Sequence, residues 1–223
     1  MSEAPRLDEI EFAENPEPRC PCVLLLDMSG SMSGAPIGAL NQGIQTFKDA
    51  LIQDALASRR VEIAIVTFES QVTVVQDFVT ADQFQPTLLK AGGATFMGTA
   101  ILKGLDMVQD RKMQYRQNGI TYYRPWVFMI TDGEPQGEDG DVVARASERI
   151  QSEEDGKGVA FFAVGVERAN MDRLKDIAAR APVKLKGLNF GEMFVWLSTS
   201  MQRVSHSQVG EQVELPPVGW GTV

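Results

Sequence analysis

The sequence predicts an α/β domain: a doubly wound, mostly parallel central sheet with one antiparallel edge strand and helices on both faces. Three observations predict it. Apolar runs at Cys22–Leu26, Trp126–Ile130 and Val159–Val166 are bounded by turn residues, the pattern of strands buried on both faces. Segments of helical periodicity lie between them, and strand–helix alternation builds parallel sheets. Finally, Val61–Phe68 and Val72–Val75 are separated only by Glu69, Ser70 and Gln71. Parallel neighbours need a crossover of about a dozen residues, so this pair must be antiparallel, at an edge.

In chain order, residues 1–18 are acidic and carry Pro16 and Pro18. They read as an extended arm, pinned in part by Ile10 and Phe12. The domain proper spans 19–206. After the first strand, Ile37, Leu40, Ile44, Phe47, Leu51 and Ile52 recur at helical spacing from Pro36 to about Ala57, with Pro36 suited to a first turn. A short helix is expected over Asp82–Leu89, against the resistance of Pro86. A firmer one runs from Gly98 to about Lys112, and Arg111–Arg124 reads as an exposed polar connection. Helices follow at Asp141–Asp155, Asn170–Ala179 and Met193–Val204, with a last strand at Val183–Leu185. Residues 207–223 lose periodicity and read as a proline-containing extended tail.

Composition narrows the function. The chain has 223 residues, 43% of them hydrophobic, enough for one well-packed domain with extensions. No apolar run reaches the roughly 18 residues of a membrane span, and Met1–Pro5 has no signal-peptide pattern, so a cytoplasmic location is expected. A net charge of −9 argues against nucleic acid or an anionic membrane as partner. Cys20 and Cys22 flank Pro21 at i, i+2, where bonding to each other is geometrically awkward. They read as small apolar fillers, and no second Cys/His pair completes a zinc site. His206 is the single histidine.

The candidate site begins where the first strand ends. Asp27, Ser29 and Ser31 stand at alternate positions immediately after Leu24-Leu25-Leu26, and ligands in open α/β sheets bind at the carboxyl ends of strands. Hard cations want about six oxygens, and this loop offers three side chains toward them. Ordinary loop chemistry and a helix cap use the same residues. An EF-hand is excluded by Gly38 at its closing position. An Asp-x-Asp phosphatase would need an acid where Ser29 stands, and a serine-hydrolase elbow would need a nucleophile where Met32 stands.

Two further stretches join this one. Gly92-Gly93-Ala94-Thr95-Phe96-Met97-Gly98 places a glycine-flanked threonine ahead of a helical pattern, and the run from Trp126 ends in Thr131-Asp132-Gly133. Together, in this order, they resemble the von Willebrand factor A domain, a Rossmann-like fold, and its metal-ion-dependent adhesion site, made of Asp-x-Ser-x-Ser, a distant Thr and a more distant Asp. The matching positions are Asp27, Ser29, Ser31, Thr95 and Asp132. The resemblance implies a divalent cation, Mg²⁺ foremost with Mn²⁺ or Ca²⁺ as alternatives. It also implies that the hydroxyls contact the metal in the ligand-engaged state, while the aspartates act partly through water. Neutral hydroxyl ligands leave a cation poorly compensated and receptive to a partner's carboxylate. Glu134, Glu138, Asp139 and Asp141 are either an acidic rim to this site or a solvated loop.

Within that family, Cys22–Gln45 and Ile130–Pro135 resemble bacterial tellurite-resistance proteins of the TerY type, over roughly residues 19–205. That resemblance implies an intracellular adaptor in a metal-linked stress or phospho-signalling system. Its partners would be TerD-like proteins, or a protein kinase with a metal-dependent phosphatase. A surface adhesin shares the site but needs an export signal. A regulator phosphorylated on Ser29, Ser31 or Thr95 would change the site's charge. Metal-assisted hydrolysis lacks an evident base, nucleophile or histidine, so no enzyme is expected.

Overall fold

The computed structural model describes residues 7–222; the first part of the expected arm, residues 1–6, and Val223 lie outside them. Seven strands form one sheet in the order β3-β2-β1-β4-β5-β6-β7. They are β1 (Cys20–Asp27), β2 (Val61–Phe68), β3 (Val72–Thr80), β4 (Trp126–Thr131), β5 (Ala160–Gly165), β6 (Val183–Leu185) and β7 (Gly221–Thr222). β1 pairs in parallel with β2 and β4, and β5 in parallel with β4 and β6. β3 runs antiparallel to β2 at one edge. This is the antiparallel edge strand that the three-residue connection predicts; β7, cut from the tail, adds a second at the opposite edge, against β6.

The helices are α1 (Leu7–Glu14), α2 (Ala35–Ile52), α3 (Ala57–Arg60), α4 (Met97–Gln117), α5 (Gly140–Asp155), α6 (Met171–Ile177) and α7 (Phe190–His206). β1 shows why the sheet must be covered twice. Leu24 and Leu26 pack into one core with Leu40, Ile44 and Phe47 of α2 and Phe194 of α7. Val23 and Leu25 pack into the other with Ile101 and Leu105 of α4 and Ile150 of α5. Side chains alternate along a strand, so an unbroken apolar run has two dry faces to fill.

The strand order decides where a site can lie. From β1 the chain goes to β2 on one side and then, through β3 and α4, to β4 on the other. The loops after β1 and β4 therefore diverge over opposite faces and leave a crevice at their carboxyl ends.

Four local expectations change. Asp82–Leu89 is not helical; the Asn41 side chain instead bonds both the N–H and the C=O of Leu89, at 2.9 and 3.0 Å, and Pro86 supplies no donor. The arm is not extended throughout, because Leu7–Glu14 is helical. Its Phe12 is buried while Ile10 is 41% exposed. α4 begins at Met97 rather than at Gly98; a Cβ on Gly98 would meet the Val143 backbone at 2.9 Å, so the glycine serves the close approach of α5.

The fourth change is the largest. Arg111–Arg124 is not an exposed connection: α4 continues to Gln117 and buries Arg111, Lys112 and Tyr115. The organising group is Glu62 on β2, itself fully buried. It accepts hydrogen bonds from Arg19 Nε at 2.8 Å, from Arg111 Nε at 2.9 Å and Nη2 at 2.8 Å, and from the Tyr115 hydroxyl. A buried carboxylate needs such compensation, which turns a polar stretch inward. The Arg111 guanidinium also lies over Phe12, 4.8 Å from its ring centre, and pairs with Glu11, seating α1.

The tail is ordered against the sheet. Trp196 Nε1 donates to Pro216 O at 2.8 Å, and Trp220 packs edge-on against Trp196 with ring centres 5.7 Å apart. Cys20 and Cys22 are free, buried thiols within the core.

Candidate metal centre

The site is assembled by three loops that the fold stitches together. Gly30 N donates to Gly93 O at 3.1 Å and Gly92 N to Met28 O at 2.6 Å, tying the serine loop to the threonine loop. Thr95 and Gln136 exchange backbone bonds at 3.0 and 3.3 Å, tying the threonine loop to the segment after β4. Gly93, at φ +86°, takes a backbone conformation that favours glycine.

Within this frame, Asp27 at the end of β1 is fully buried. Its Oδ1 accepts Ser29 N–H at 2.8 Å and its Oδ2 accepts the Thr131 hydroxyl at 2.6 Å. The Ser29 and Ser31 hydroxyls are 3.0 Å apart, and Ser31 Oγ donates to Asp132 Oδ1 at 2.8 Å. Thr95 is buried to 4% exposure, and among the described residues its hydroxyl has no hydrogen-bond partner. A Cβ built on Gly133 would lie 3.6 Å from Thr95 Oγ1 and 3.8 Å from Asp27 Oδ2. Asp27, Ser29, Ser31, Thr95 and Asp132 thus sit around one rim at the carboxyl ends of β1 and β4, with the absent side chain of Gly133 leaving room between them.

Burial pushes the Asp27 carboxyl above its ordinary pKa, hydrogen bonds from Thr131 and Ser29 oppose this, and the charge of Asp132 adds to the rise. Among the described residues neither aspartate has an ion-pair partner. Nor do three or more His, Cys, Asp or Glu side chains gather anywhere among them as a metal cluster. Two close carboxylates with no basic side chain beside them among the described residues, three hydroxyls and the space that Gly133 leaves between them form a donor set suited to a hard divalent ion.

Thr131 was overlooked in the sequence, where it reads as the last residue of an apolar strand. Its neighbour Asp132 was the available signal: a hydroxyl one residue before a site carboxylate faces the adjacent strand end. The acidic residues after β4 have structural roles. Glu138 caps α4 by accepting Gly98 N at 2.6 Å and Thr99 N at 3.0 Å. Asp139 caps α5 through Asp141 N, and Glu134 accepts from Asn170 Nδ2 at 2.6 Å.

An open, doubly wound sheet with a hydroxyl-and-carboxylate rim at its switch point defines a class of α/β ligand-binding domains. The chain belongs within it to the von Willebrand factor type A domain family, whose profile matches residues 22–191. Curated protein sequences give no match. Solved structures sharing the fold include a von Willebrand factor type A protein from Catenulispora acidiphila, with 19% identity over 83% of this chain and 43% of that one, at TM-score 0.66. The pilus adhesin SpaC from Lactobacillus rhamnosus GG, in its open conformation, is similar at 13% identity over 84% and 30% of the two chains, TM-score 0.67. The PilB minor pilin from Streptococcus sanguinis is similar at 13% identity over 83% and 62%, TM-score 0.57. The chain spans less than two thirds of the length of each of these, and at such identities the likeness is one of fold. Among the described residues no helix is long and apolar enough to cross a membrane.

Proposed function

We propose that the chain is a metal-dependent protein-interaction module without catalytic activity. In this reading Asp27, Ser29, Ser31, Thr95 and Asp132 hold a divalent cation, Mg²⁺ foremost, and a protein partner presents an acidic residue to it. The observation that carries the reading is the convergence of two carboxylates that no basic side chain pairs among the described residues with a Thr95 hydroxyl that has no hydrogen-bond partner among them. A bound cation would supply an electrophilic position for the partner's carboxylate. Asp27, locked from both sides by Ser29 and Thr131, gives the rim a fixed anionic base. Ser31 and Asp132 hold one another in place. Binding rather than hydrolysis is supported by the position of His206, which is engaged by Asp54 at the end of α7, 2.8 Å away.

The system served is an intracellular adaptor role in a tellurite-resistance or related stress and phospho-signalling assembly, supported by the TerY-type resemblance of Cys22–Gln45. A second reading, a surface adhesin, is favoured by the fold shared with a pilus adhesin. The decisive experiment is titration calorimetry with Mg²⁺ and Mn²⁺ on wild type and Asp27→Ala, followed by pull-down with and without EDTA. Unchanged affinity in the variant would sink the metal site. Acidic partners retained with EDTA would sink the binding mode, and cell fractionation separates adaptor from adhesin.

A further inference from the structure

The opposite end of the sheet carries a cavity. A cavity of about 660 Å³ opens beside the starts of β4 and β5, walled by the end of α4, the turn after α5 and the tail beyond α7. That size suits a small organic ligand. Its lining brings together Lys112, Arg116, Arg124, Lys157 and Arg180, in a chain whose net charge is −9.

Lys112 is the informative member. It is 7% exposed, yet among the described residues it has no carboxylate within ion-pairing distance. Among the described residues its only hydrogen bond is a long one, 3.4 Å, to Gly158 O. Burial pushes its pKa down, and Arg116 reinforces the fall against the pull of Glu153. An ammonium has three donors, and a buried charge without a partner is costly. Arg116 and Lys157 are exposed and have no side-chain partner among the described residues. Lys157 stands at φ +53° between Gly156 and Gly158, a strained turn for a non-glycine residue.

The acids nearby do not cancel this charge. Glu154 is shared by Arg124 and Arg180, each at 2.6 Å. Glu153 faces Lys112 and accepts from Gln109. Glu211, on the tail side of the cavity, accepts Gln208 N–H. Two cations remain in excess. The same walls include Tyr122, Trp126 and Phe162, an aromatic surface that a hydrated inorganic anion would leave unused.

We propose that this cavity binds a small phosphorylated ligand carrying a planar ring, a nucleotide, with Lys112, Arg116 and Lys157 taking the phosphates. The site is independent of the metal rim, which lies at the other end of the strands.

The test is calorimetry on the full chain in EDTA, with ATP, ADP, adenosine and inorganic phosphate as separate probes. ATP or ADP should bind, with adenosine and phosphate each at least about tenfold weaker, since a charged hydrogen bond is worth about ten- to a hundredfold. Lys112→Met should weaken nucleotide binding by about tenfold or more while raising the melting temperature of the free protein, because it keeps the buried stem and removes the unpaired charge. Arg116→Ala and Lys157→Ala, at exposed positions without partners, should weaken binding and leave melting unchanged. Asp27→Ala should bind nucleotide like wild type. Absence of nucleotide binding, equal binding of adenosine or of phosphate alone, indifference to the three cation variants, a lowered melting temperature in Lys112→Met, or loss in Asp27→Ala would each overturn the proposal.

Discussion

Ser31 donates its hydroxyl hydrogen to Oδ1 of Asp132 at 2.8 Å, across 101 residues of sequence. This bond joins the loop after β1 to the loop after β4, the two strands flanking the switch point. Because each residue orients the other, their substitutions should not be additive. Ser31→Ala and Asp132→Ala should each weaken Mn²⁺ binding by about tenfold or more, as loss of a charge-assisted contact does. The double variant should lose much less than the product of the two. Titration calorimetry on the four proteins measures the coupling, and strict additivity would show the bond to be incidental.

The buried Glu62 makes a harsher demand. Arg111→Met leaves that carboxylate with Arg19 and Tyr115 alone and also frees Glu11. Breaking a buried pair by removing one partner costs about 3–5 kcal/mol. Urea unfolding should show a loss of that order. A change under about 1 kcal/mol, the range of an exposed pair, would mean that Glu62 is not the anchor of this end.

Two glycines should respond with opposite sign. Gly98→Ala drives a Cβ into the Val143 backbone at 2.9 Å and should destabilise by about 1–3 kcal/mol, as overpacking does. Gly38→Ala, within α2 and facing open space, should stabilise by about 0.4–1 kcal/mol through reduced unfolded-state freedom. Thermal melts of both proteins check the pair.

Trp220 tests the tail. It is 3% exposed and among the described residues its indole N–H has no partner. Trp220→Ala should cost about 3–5 kcal/mol. Trp220→Phe keeps much of the packing and removes an unsatisfied donor that itself costs about 1–3 kcal/mol, so it should be near neutral. Equal losses in both variants would show that shape alone matters there.

Acid should find Asp54. Burial would raise its pKa, but hydrogen bonds from Ala57 N and His206, with the His206 charge and Leu56 N, outweigh burial and hold it below the ordinary 3.8. A carboxyl depressed in the folded state adds stability that is present above the unfolded value and is lost as pH falls through the folded one. Stability should therefore drop below about pH 4, and Asp54→Asn should flatten that drop in acid unfolding curves. An unaltered slope would assign the acid sensitivity to other carboxylates.

Sequence and structure divide the account by the range of the forces involved. β1, β2, β4 and β5 were legible because an apolar run bounded by turns has few other ways to be buried, and a three-residue connection forces antiparallel pairing. The alternation of Asp27, Ser29 and Ser31 after Leu26 marked a polar loop at a strand end, since the break in hydropathy is local. Arg111 and Tyr115 were illegible. Their burial depends on Glu62, about fifty residues away in the chain, and no local pattern records that pairing. Asp82–Leu89 was misjudged for the same reason, since the Asn41 amide meets its backbone from another helix. Phe12 was legible as a pin for the arm and is buried, whereas Trp220 looked like part of a loose tail and is wedged against Trp196. The sequence by itself determined which segments must be dry and where polar loops begin. Only the tertiary structure decided which distant charges meet, because desolvation makes a buried charge depend on partners that chain folding alone brings near.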